Sequence, residues 1–315
     1  METRHYSDAP DVNFDHMPEL ADYISEPPAM YVGCPGKRGY LNLGFELENN
    51  GRCVLKDSDR RAPLIVKHPM YFDRELPDMP CIYIQSSGGP NVDGDRYRQI
   101  FRLKKGAFAH ISTGAATKIA EMKHNYSGMR QSFALEEDSY LEFLPEPIIP
   151  HKHSRFISDT DIVIHPSATL FYSEIYMPGR KYYGDGEVYK YDLLSVSAHA
   201  DRPDGSPLFR EKFIITPGSK NVRNLGVAHQ YDVFANVIVL TPKEEAEKIF
   251  AQTDAYIDTE SKIACGISRL PNEAGLLFKV LGMEPGPVKA LVRAFCSTVR
   301  QTVKGKPLQA EFSWR

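Results

Sequence analysis

The chain has 315 residues, of which 42% are hydrophobic, enough for the core of one large domain or two ordinary ones. Its formal net charge of −3, without long runs of like charge, argues against nucleic acid or an anionic membrane as the main partner. The five cysteines are scattered with no CxxC pair, which disfavours a disulfide framework or a cysteine zinc site. No signal-peptide core and no run of about 18 apolar residues occurs. We therefore expect a soluble, cytoplasmic protein.

Residues 1–38 are rich in Asp, Glu and Pro, a composition typical of a flexible N-terminal arm, and residues 39–315 are predicted to form a single β-rich domain. From Gly39 the pattern changes to period two, with Leu41, Leu43 and Phe45 alternating with polar residues or glycine. Similar short runs, separated by turn residues, follow this first strand. The further predicted strands are 63–66, 81–85, 97–103, 108–111, 131–135, 139–144, 161–164, 168–177, 188–198, 208–215 and 232–240.

Two helices are predicted near the C-terminus, over residues 241–257 and 287–304. The first opens on Thr241-Pro242-Lys243-Glu244, which has the form of a capping box with proline at the first helical position. The second carries its apolar side chains at helical spacing on one face. That face consists of Val288, Leu291, Val292, Phe295 and Val299.

Residues 262–270 and 275–281 are predicted to form a strand pair between the two helices. The predicted fold class is mainly β: a large stacked, antiparallel or helical β body, mainly antiparallel in its pairing, with two C-terminal α-helices. No βαβ rhythm occurs, which disfavours a Rossmann or TIM-barrel architecture.

Two dense polar segments stand out within the β region: Ser86–Asp95, rich in glycine, and Ser112–Lys118, rich in small hydroxyl residues. A P-loop is excluded, because no GxxxxGK[ST] sequence exists and Lys118 is too far along the chain. Asp93 and Asp95 could ligate a cation, but carboxylates that fix turn amides are the more common case. Thr113 and Thr117 could cap a short helix or line a polar channel.

His151-Lys152-His153 suggests a metal site, because two imidazoles two residues apart on a strand point to one face, as in cupins. His165 and His199 are the possible third ligands, with no recognisable spacing. Pro150 and Lys152 favour an exposed surface loop instead.

Three glutamates are further candidates. Glu142 and Glu174 both lie in apolar strands, where a carboxylate is rarely buried unless it is paired or lines water. Glu142 fits a polar strand face equally well, whereas Glu174 shares its face with Leu170 and two tyrosines, which favours partial burial. Glu187 ends a long turn that begins at Gly179-Arg180. No Ser-His-Asp or Cys-His arrangement of a nucleophilic enzyme is recognisable.

Several motifs follow one another along the chain in a specific order. They are Pro63–Val66, His68–Tyr71, Gly88-Gly89-x4-Gly94-Asp95, Ala115–Lys118, Leu141-Glu142-x-Leu144-Pro145-x-Pro147-Ile148 and Gly179-Arg180…Gly186-Glu187. This series, from about Gly39 to the end, resembles the urease accessory protein D family (UreD, called UreH in some organisms).

The resemblance implies a β-rich scaffold without catalysis, built as a helical stack of strands with a pair of α-helices. It implies that the chain binds the urease apoprotein and the accessory protein UreF, and through UreF the GTPase UreG. It also implies a transient Ni²⁺ cargo, with no permanently bound cofactor, carried through a polar internal passage. Its candidate lining residues are Asp95, Thr113, Thr117, Glu142, Glu174 and Glu187.

Two alternatives from other functional classes remain at this point. A cupin-like metal-dependent enzyme would use His151 and His153. A sugar- or peptide-binding β module has only the 17 tyrosines in its favour.

Overall fold

The computed structural model describes residues 12–25 and 36–309. Short 3₁₀ turns lie at Pro18–Leu20 and Pro271–Glu273, and the helices are α1 (Lys243–Ala251) and α2 (Pro285–Lys304). The strands are β1 (Arg38–Leu47), β2 (Cys53–Arg61), β3 (Leu64–Val66), β4 (Cys81–Ser86), β5 (Arg96–Leu103), β6 (Phe108–Thr113), β7 (Thr117–Ile119), β8 (Ser127–Leu135), β9 (Tyr140–Leu144), β10 (Ile148–Pro150), β11 (Arg155–Ile164), β12 (Thr169–Tyr176), β13 (Leu193–Asp201), β14 (Pro207–Ile215), β15 (Val233–Leu240), β16 (Tyr256–Asp258), β17 (Ile263–Arg269) and β18 (Gly275–Gly282).

These strands form two sheets. The first sheet has the order β14-β13-β11-β8-β5-β1-β2, and the second follows β16-β17-β18-β15-β12-β9-β6-β4-β3, with β10 pairing to β12 and β7. Between β5 and β13 the chain passes back and forth between the sheets, so β5, β8, β11 and β13 stack in parallel in the first sheet. In the second sheet β6, β9 and β12 do the same.

The mainly β fold class with two helices is confirmed, but the expectation of mainly antiparallel pairing is wrong for the middle of both sheets. Antiparallel pairs lie towards their ends, for example β1 with β2 and β15 with β18. The physical reason is that the chain crosses to the other sheet and back between successive strands of the parallel stack, so each of these strands starts again from the same end. Alternating side chains occur in both kinds of pairing, so period two could not distinguish them.

The main core lies between the two sheets and contains a layer of stacked aromatic rings. Phe101 and Phe133 are opposite each other in β5 and β8, with ring centroids 4.9 Å apart. Phe143 and Tyr172 face them from the second sheet, with parallel rings 5.5 Å apart. On the same face, the next pair along these two strands is polar and consists of Gln99 and Gln131.

The second core cluster lies on the other face of the second sheet, under α2. Val288, Val292, Phe295 and Val299 are buried there, which confirms the predicted apolar face. No helix in the described part of the chain is both long enough and apolar enough to cross a membrane.

The first helix is shorter than predicted and starts differently. It ends at Ala251, and residues beyond it form the edge strand β16. Pro242 is the residue before the helix, with no side-chain cap, so the predicted capping box is wrong. The Thr241 hydroxyl instead lies 2.8 Å from the Thr169 hydroxyl. This buried hydrogen bond satisfies the Thr241 side chain, which is therefore not available to cap the helix.

Part of the predicted arm, residues 12–25, packs against the β body, whereas residues 1–11 and 26–35 lie outside the described residues. Phe14 is fully buried in a cluster with Leu20, Tyr126 and Ile157. Gly128 makes room for it, because a Cβ there would lie 2.6 Å from the Phe14 ring. The boundary at residue 38 between arm and domain stays a prediction.

We expect Phe14→Ala to destabilise the protein by about 3–5 kcal/mol, because it empties a fully buried aromatic site. Urea-dependent proteolysis of the full-length chain in clarified extract measures this. Asp22→Ala, an exposed change in the same segment, is the control. Equal stability of the two variants would show that the segment is not part of the folded body.

Candidate functional site

The two polar segments singled out in the sequence line one cavity of about 560 Å³. Strands β4 to β7 and their connections place them there. Thr113 and Thr117 both line it, together with Gln85, Gln99 and Lys118. The structure therefore brings together two of the predicted lining residues at one opening.

Asp93 and Asp95 form the frame beside this cavity and do not line it. Asp95 is fully buried, accepts hydrogen bonds from the amides of Lys37 at 2.8 Å and Val92 at 3.0 Å, and pairs with the Lys37 ammonium at 2.8 Å. Asp93 accepts from the amides of Lys123 at 2.9 Å and Asn125 at 3.0 Å. The interpretation of these carboxylates as turn-fixing groups is confirmed.

A row of polar side chains extends from the cavity across the inner face of the first sheet. Gln99, Gln131 and Thr160 occupy the same level of β5, β8 and β11, and Ala198 and Glu211 continue this level in β13 and β14. The Gln131 amide nitrogen donates to Gln99 Oε1 at 2.8 Å. Gln99, Gln131, Thr160 and Glu211 are named the polar row, which the apolar Ala198 interrupts between Thr160 and Glu211.

Side chains of the second sheet face the polar row. The Tyr172 hydroxyl lies 3.2 Å from Gln131 Oε1 and 3.1 Å from the Thr160 hydroxyl. Glu174 points to the same side two residues later, directly opposite Asn236 of β15. Inward polar groups of both sheets thus share one layer of the interior.

Glu174 is an unpaired buried carboxylate. It is only 3% exposed, and neither of its oxygens finds a hydrogen-bond partner among the described residues. Burial raises the pKa of Glu174 to about 7, against the weaker opposing effect of the polar Tyr172, Tyr176 and Ser158 nearby. The carboxyl group can therefore change charge near neutral pH.

The far end of the polar row carries a charged cluster. Asn236 Nδ2 donates to Glu211 Oε2 at 2.9 Å, and the Lys279 ammonium lies 2.7 Å from Glu211 Oε1. Lys279 stands opposite Asn236 in the antiparallel pairing of β15 with β18. The row thus starts at a cavity and ends at a partly exposed ion pair.

Glu142 lies on the opposite face of the second sheet, under α2, and not in the polar row. Arg300 Nε and Nη2 donate to its two oxygens, each at 2.6 Å, and His110 Nδ1 lies 2.8 Å from Oε2. Arg300 also pairs with buried Asp73. Against the opposing effect of burial, Arg300 and His110 hold the pKa of Glu142 at about 2. Glu142 therefore anchors the C-terminal helix to the sheet.

Glu187 is likewise held in a frame. Arg180 Nε donates to its Oε2 at 2.7 Å, the Lys152 amide donates at 3.2 Å, and the Arg180 guanidinium lowers the pKa of Glu187. Gly179 has φ of +133°, and a Cβ there would lie 2.1 Å from the Glu187 carbonyl oxygen. This turn closes on itself through the ion pair.

His151 and His153 lie in the turn between β10 and β11 and not on a strand. The prediction of a cupin-like pair on one strand face is therefore wrong, and the loop interpretation is confirmed. His153 has φ of +56° and its Nδ1 lies 3.1 Å from Asp192, while His199 pairs with Asp161. Within residues 12–25 and 36–309, no group of three or more His, Cys, Asp or Glu is placed to hold a metal.

Sequence reasoning missed most of the polar row and its charged end. Gln131 and Glu211 have a signal in the sequence, because each takes an inward position in an alternating strand. Arg300 also has one, because it falls on the buried stripe of α2 with Cys296 and Val299. Which inward positions meet depends on strand order, which no motif specified.

Comparison with known proteins identifies similarity over almost the whole chain. The family model described as UreD urease accessory protein matches residues 37–315. Urease accessory protein UreD 2 of Brucella suis biovar 1 (strain 1330) is 48% identical over 296 residues, which cover 94% of this chain and 98% of the relative. Urease accessory protein UreD of Yersinia enterocolitica serotype O:8 / biotype 1B is 43% identical over 304 residues, covering 95% and 93%.

We expect Arg300→Met to destabilise the protein by about 3–5 kcal/mol, because Glu142 and Asp73 would remain buried without their cation. Urea-dependent proteolysis again measures the change. Arg269→Met is the matched control, since it breaks an exposed pair with Glu247 and an exposed contact with the Phe250 ring, and its effect should be much smaller. A small, equal loss in both variants would contradict the anchoring role.

Glu174→Gln should stabilise the protein in a pH-dependent way. The folded pKa of about 7 exceeds the ordinary 4.5, so as pH rises between these values the unfolded state loses the proton first. The wild type then loses about 3 kcal/mol relative to Glu174→Gln between pH 4.5 and pH 7, and the difference stays constant above pH 7.

Denaturation of both proteins at several pH values measures this difference. Thr169→Val, a neutral buried change on the same strand, should shift the free energy of unfolding equally at every pH. A pH-independent effect of Glu174→Gln would show that this carboxyl has an ordinary pKa.

Proposed function

Because this chain belongs to the UreD family of urease accessory proteins, we propose that it acts in the maturation of urease. The printed names of its relatives describe accessory proteins, and the matched region includes both sheets and both helices. In this proposal the chain is a scaffold and not an enzyme. The order of its short motifs indicates the same family.

The further proposal is that the polar row is the route by which nickel crosses the protein. The observation that carries it is that Gln99, Gln131 and Thr160 lie side by side at one level of the first sheet. Glu211 lies at the same level in β14, separated from Thr160 by the apolar Ala198 of β13. Four strand spacings separate β5 from β14, which corresponds to roughly 19 Å at about 4.8 Å per strand. Packed apolar side chains would have been the ordinary content of this layer.

The donor set of the row suits a passing ion. Amide and hydroxyl oxygens offer weak ligands to a divalent cation, and a passage needs sites that bind and release. Thr113 and Thr117 would line its entrance, and Glu174 its interior. Asp95, Glu142 and Glu187 would not line the passage but would support its walls, because each carboxylate is already paired with a lysine or arginine side chain.

We further propose that the chain binds the urease apoprotein and UreF in the cytoplasm, and through UreF the GTPase UreG. Exposed apolar side chains that lie close together support a role in a complex, since contiguous apolar patches mark protein contacts. Tyr182 and Leu225 are 79% and 82% exposed, and their segments meet at Asp232, which pairs with both Lys181 and Arg223. Nucleotide hydrolysis would be supplied by UreG, in keeping with the missing P-loop sequence.

The test compares nickel-dependent urease activation by the wild type and by a Gln131→Leu, Thr160→Val double variant in cells that carry the urease genes. Removing two polar groups, each worth about 1 kcal/mol, should slow activation about ten-fold or more while co-purification with urease and UreF persists. Thr169→Val is the control, because it removes an equally buried hydroxyl outside the row.

The outcomes separate the two levels of the proposal. Failure of the wild type to co-purify with urease or UreF would overturn the accessory role. Normal activation by the double variant would contradict the proposed passage and leave the proposed scaffold role intact.

A further inference from the structure

We propose that the outer face of the first sheet carries a groove for an acidic peptide segment of a partner protein, and that residues 12–25 of this chain are its built-in competitor. Residues 12–25 are named the strap. The groove is the surface beneath the strap, formed by the starts of β8, β11 and β13 with the neighbouring part of β14. The inference goes beyond urease maturation and does not depend on the polar row.

The first argument is the fit between the strap and the groove. Phe14 of the strap is fully buried in one cluster with Tyr126 and Ile157 of the β body. Gly128 forms a notch for the Phe14 ring, because a Cβ at this position would lie 2.6 Å from a ring atom. A notch that needs the absence of a side chain is shaped for a planar aromatic ring, so it selects a segment with an aromatic residue.

The second argument is charge complementarity. The strap has three carboxylate side chains and neither lysine nor arginine. Glu19 accepts a hydrogen bond from the Ser195 hydroxyl at 2.7 Å, and the Lys212 ammonium lies 2.6 Å from the same carboxylate. The Arg155 guanidinium carbon lies 4.3 Å from the centre of the Tyr23 ring. Basic side chains thus border the groove, and complementary charge gives such a surface its preference for an acidic segment.

The third argument is that the strap can leave the groove without breaking a sheet. Among the described residues, the backbone–backbone hydrogen bonds of the strap join its own residues to one another. Its polar links to the β body run through side chains. The Tyr126 hydroxyl donates to Asp15 at 2.7 Å, and Asn125 Nδ2 donates to the Ser25 carbonyl at 2.8 Å. Opening the strap therefore leaves every strand ladder intact, and a local opening of this kind requires less free energy than global unfolding.

The family match separates the groove from the strap. The UreD model covers residues 37–315, so it includes the whole groove and excludes the strap. Once the strap opens, Tyr126, Ile157 and Leu193 lose their cover and form an apolar patch with a basic border. Such a patch is typical of a protein contact. The partner that fits is a segment with carboxylates and one aromatic side chain, and it must displace the strap to bind.

The experiment uses the full-length chain on a soluble fusion partner, with a fluorescent synthetic peptide of residues 12–25 as the probe. Fluorescence anisotropy should show at least ten-fold tighter probe binding to Phe14→Ala than to the wild type, because the intact strap occupies the groove and lowers the apparent affinity. A peptide of the same composition in scrambled order is the control and should bind neither protein. No probe binding to a Phe14→Ala chain whose β8 amides remain protected from exchange would overturn the groove.

A charge exchange tests the place of the groove. In the Phe14→Ala chain, Lys212→Glu should weaken probe binding several-fold, and a probe with Glu19→Lys should recover it. Lys56→Glu is the matched control, since it changes an exposed lysine at the other edge of the same sheet and should leave the affinity unchanged. Equal affinity of the two probes for the Lys212→Glu chain would contradict the assigned contact.

Hydrogen exchange of the wild type does not depend on variants that fold. The hydrogen-bonded strap amides, such as those of Met17, Leu20 and Tyr23, should exchange at least ten-fold faster than the amides of β8 and β11. The physical reason is that the strap opens alone, whereas the strand amides need a larger unfolding. Exchange of the strap and β8 at the same rate would show that the strap opens only with the whole body, and no partner could then displace it.

A second copy of this chain is the alternative occupant, because its strap has the same sequence as the probe. Sedimentation of the wild type over a range of concentrations distinguishes the two. A monomer at every concentration supports a different partner protein, whereas a dimer that is lost in Lys212→Glu would assign the groove to a second copy and overturn that partner. None of these measurements involves urease, so failure of the groove and failure of the accessory role are separate outcomes.

Discussion

Parallel stacking of strands at equal level is the constraint on which the rest of this structure depends. Once β5, β8, β11 and β13 stack in register, residues at equivalent positions form continuous rows across the sheet. One such row is aromatic and apolar, and the next is polar, through Gln99, Gln131 and Thr160. The change in side-chain chemistry from one level to the next therefore applies across β5, β8 and β11, and this produces a polar layer within the β body; in β13 the same level is occupied by the apolar Ala198.

Two buried glutamates of the second sheet show how partners decide the role of a carboxylate. Glu142 faces α2, where Arg300 and His110 hold its pKa at about 2, so it stays charged and fixes the helix. Glu174 faces the polar row without a hydrogen-bond partner among the described residues, and burial raises its pKa to about 7. The first glutamate stabilises the fold. Glu174 destabilises the fold when it is charged. A destabilising buried carboxylate is typical of a functional group, here one that would bind a passing ion or a proton.

Much of the fold followed from local sequence patterns. Alternating runs predicted most strands within a few residues, and the apolar stripe of α2 predicted its buried face. The motif order pointed to the family, which the comparisons confirm. The parallel pairing was not predictable, because alternation reports which face of a strand is buried and not which strand lies beside it.

The candidate site was predictable only in part, for the same reason. Thr113 and Thr117 belong to a dense polar segment, and Glu174 is a carboxylate in an apolar strand, so the local sequence was enough to identify them as candidates. Glu211 and Lys279 are unremarkable charged residues in alternating strands, and only the sheet topology brings them to Glu174. Glu142 was assigned to the passage, but it faces Arg300, which is 158 residues away in sequence.

The most direct test of the central claim is anomalous X-ray scattering at the nickel edge, from crystals of this chain in complex with its proposed partner UreF, grown with Ni²⁺. The account predicts nickel density between the two sheets along the polar row. Nickel density confined to the protein surface, for example at His151 and His153, with none between the sheets, would contradict it.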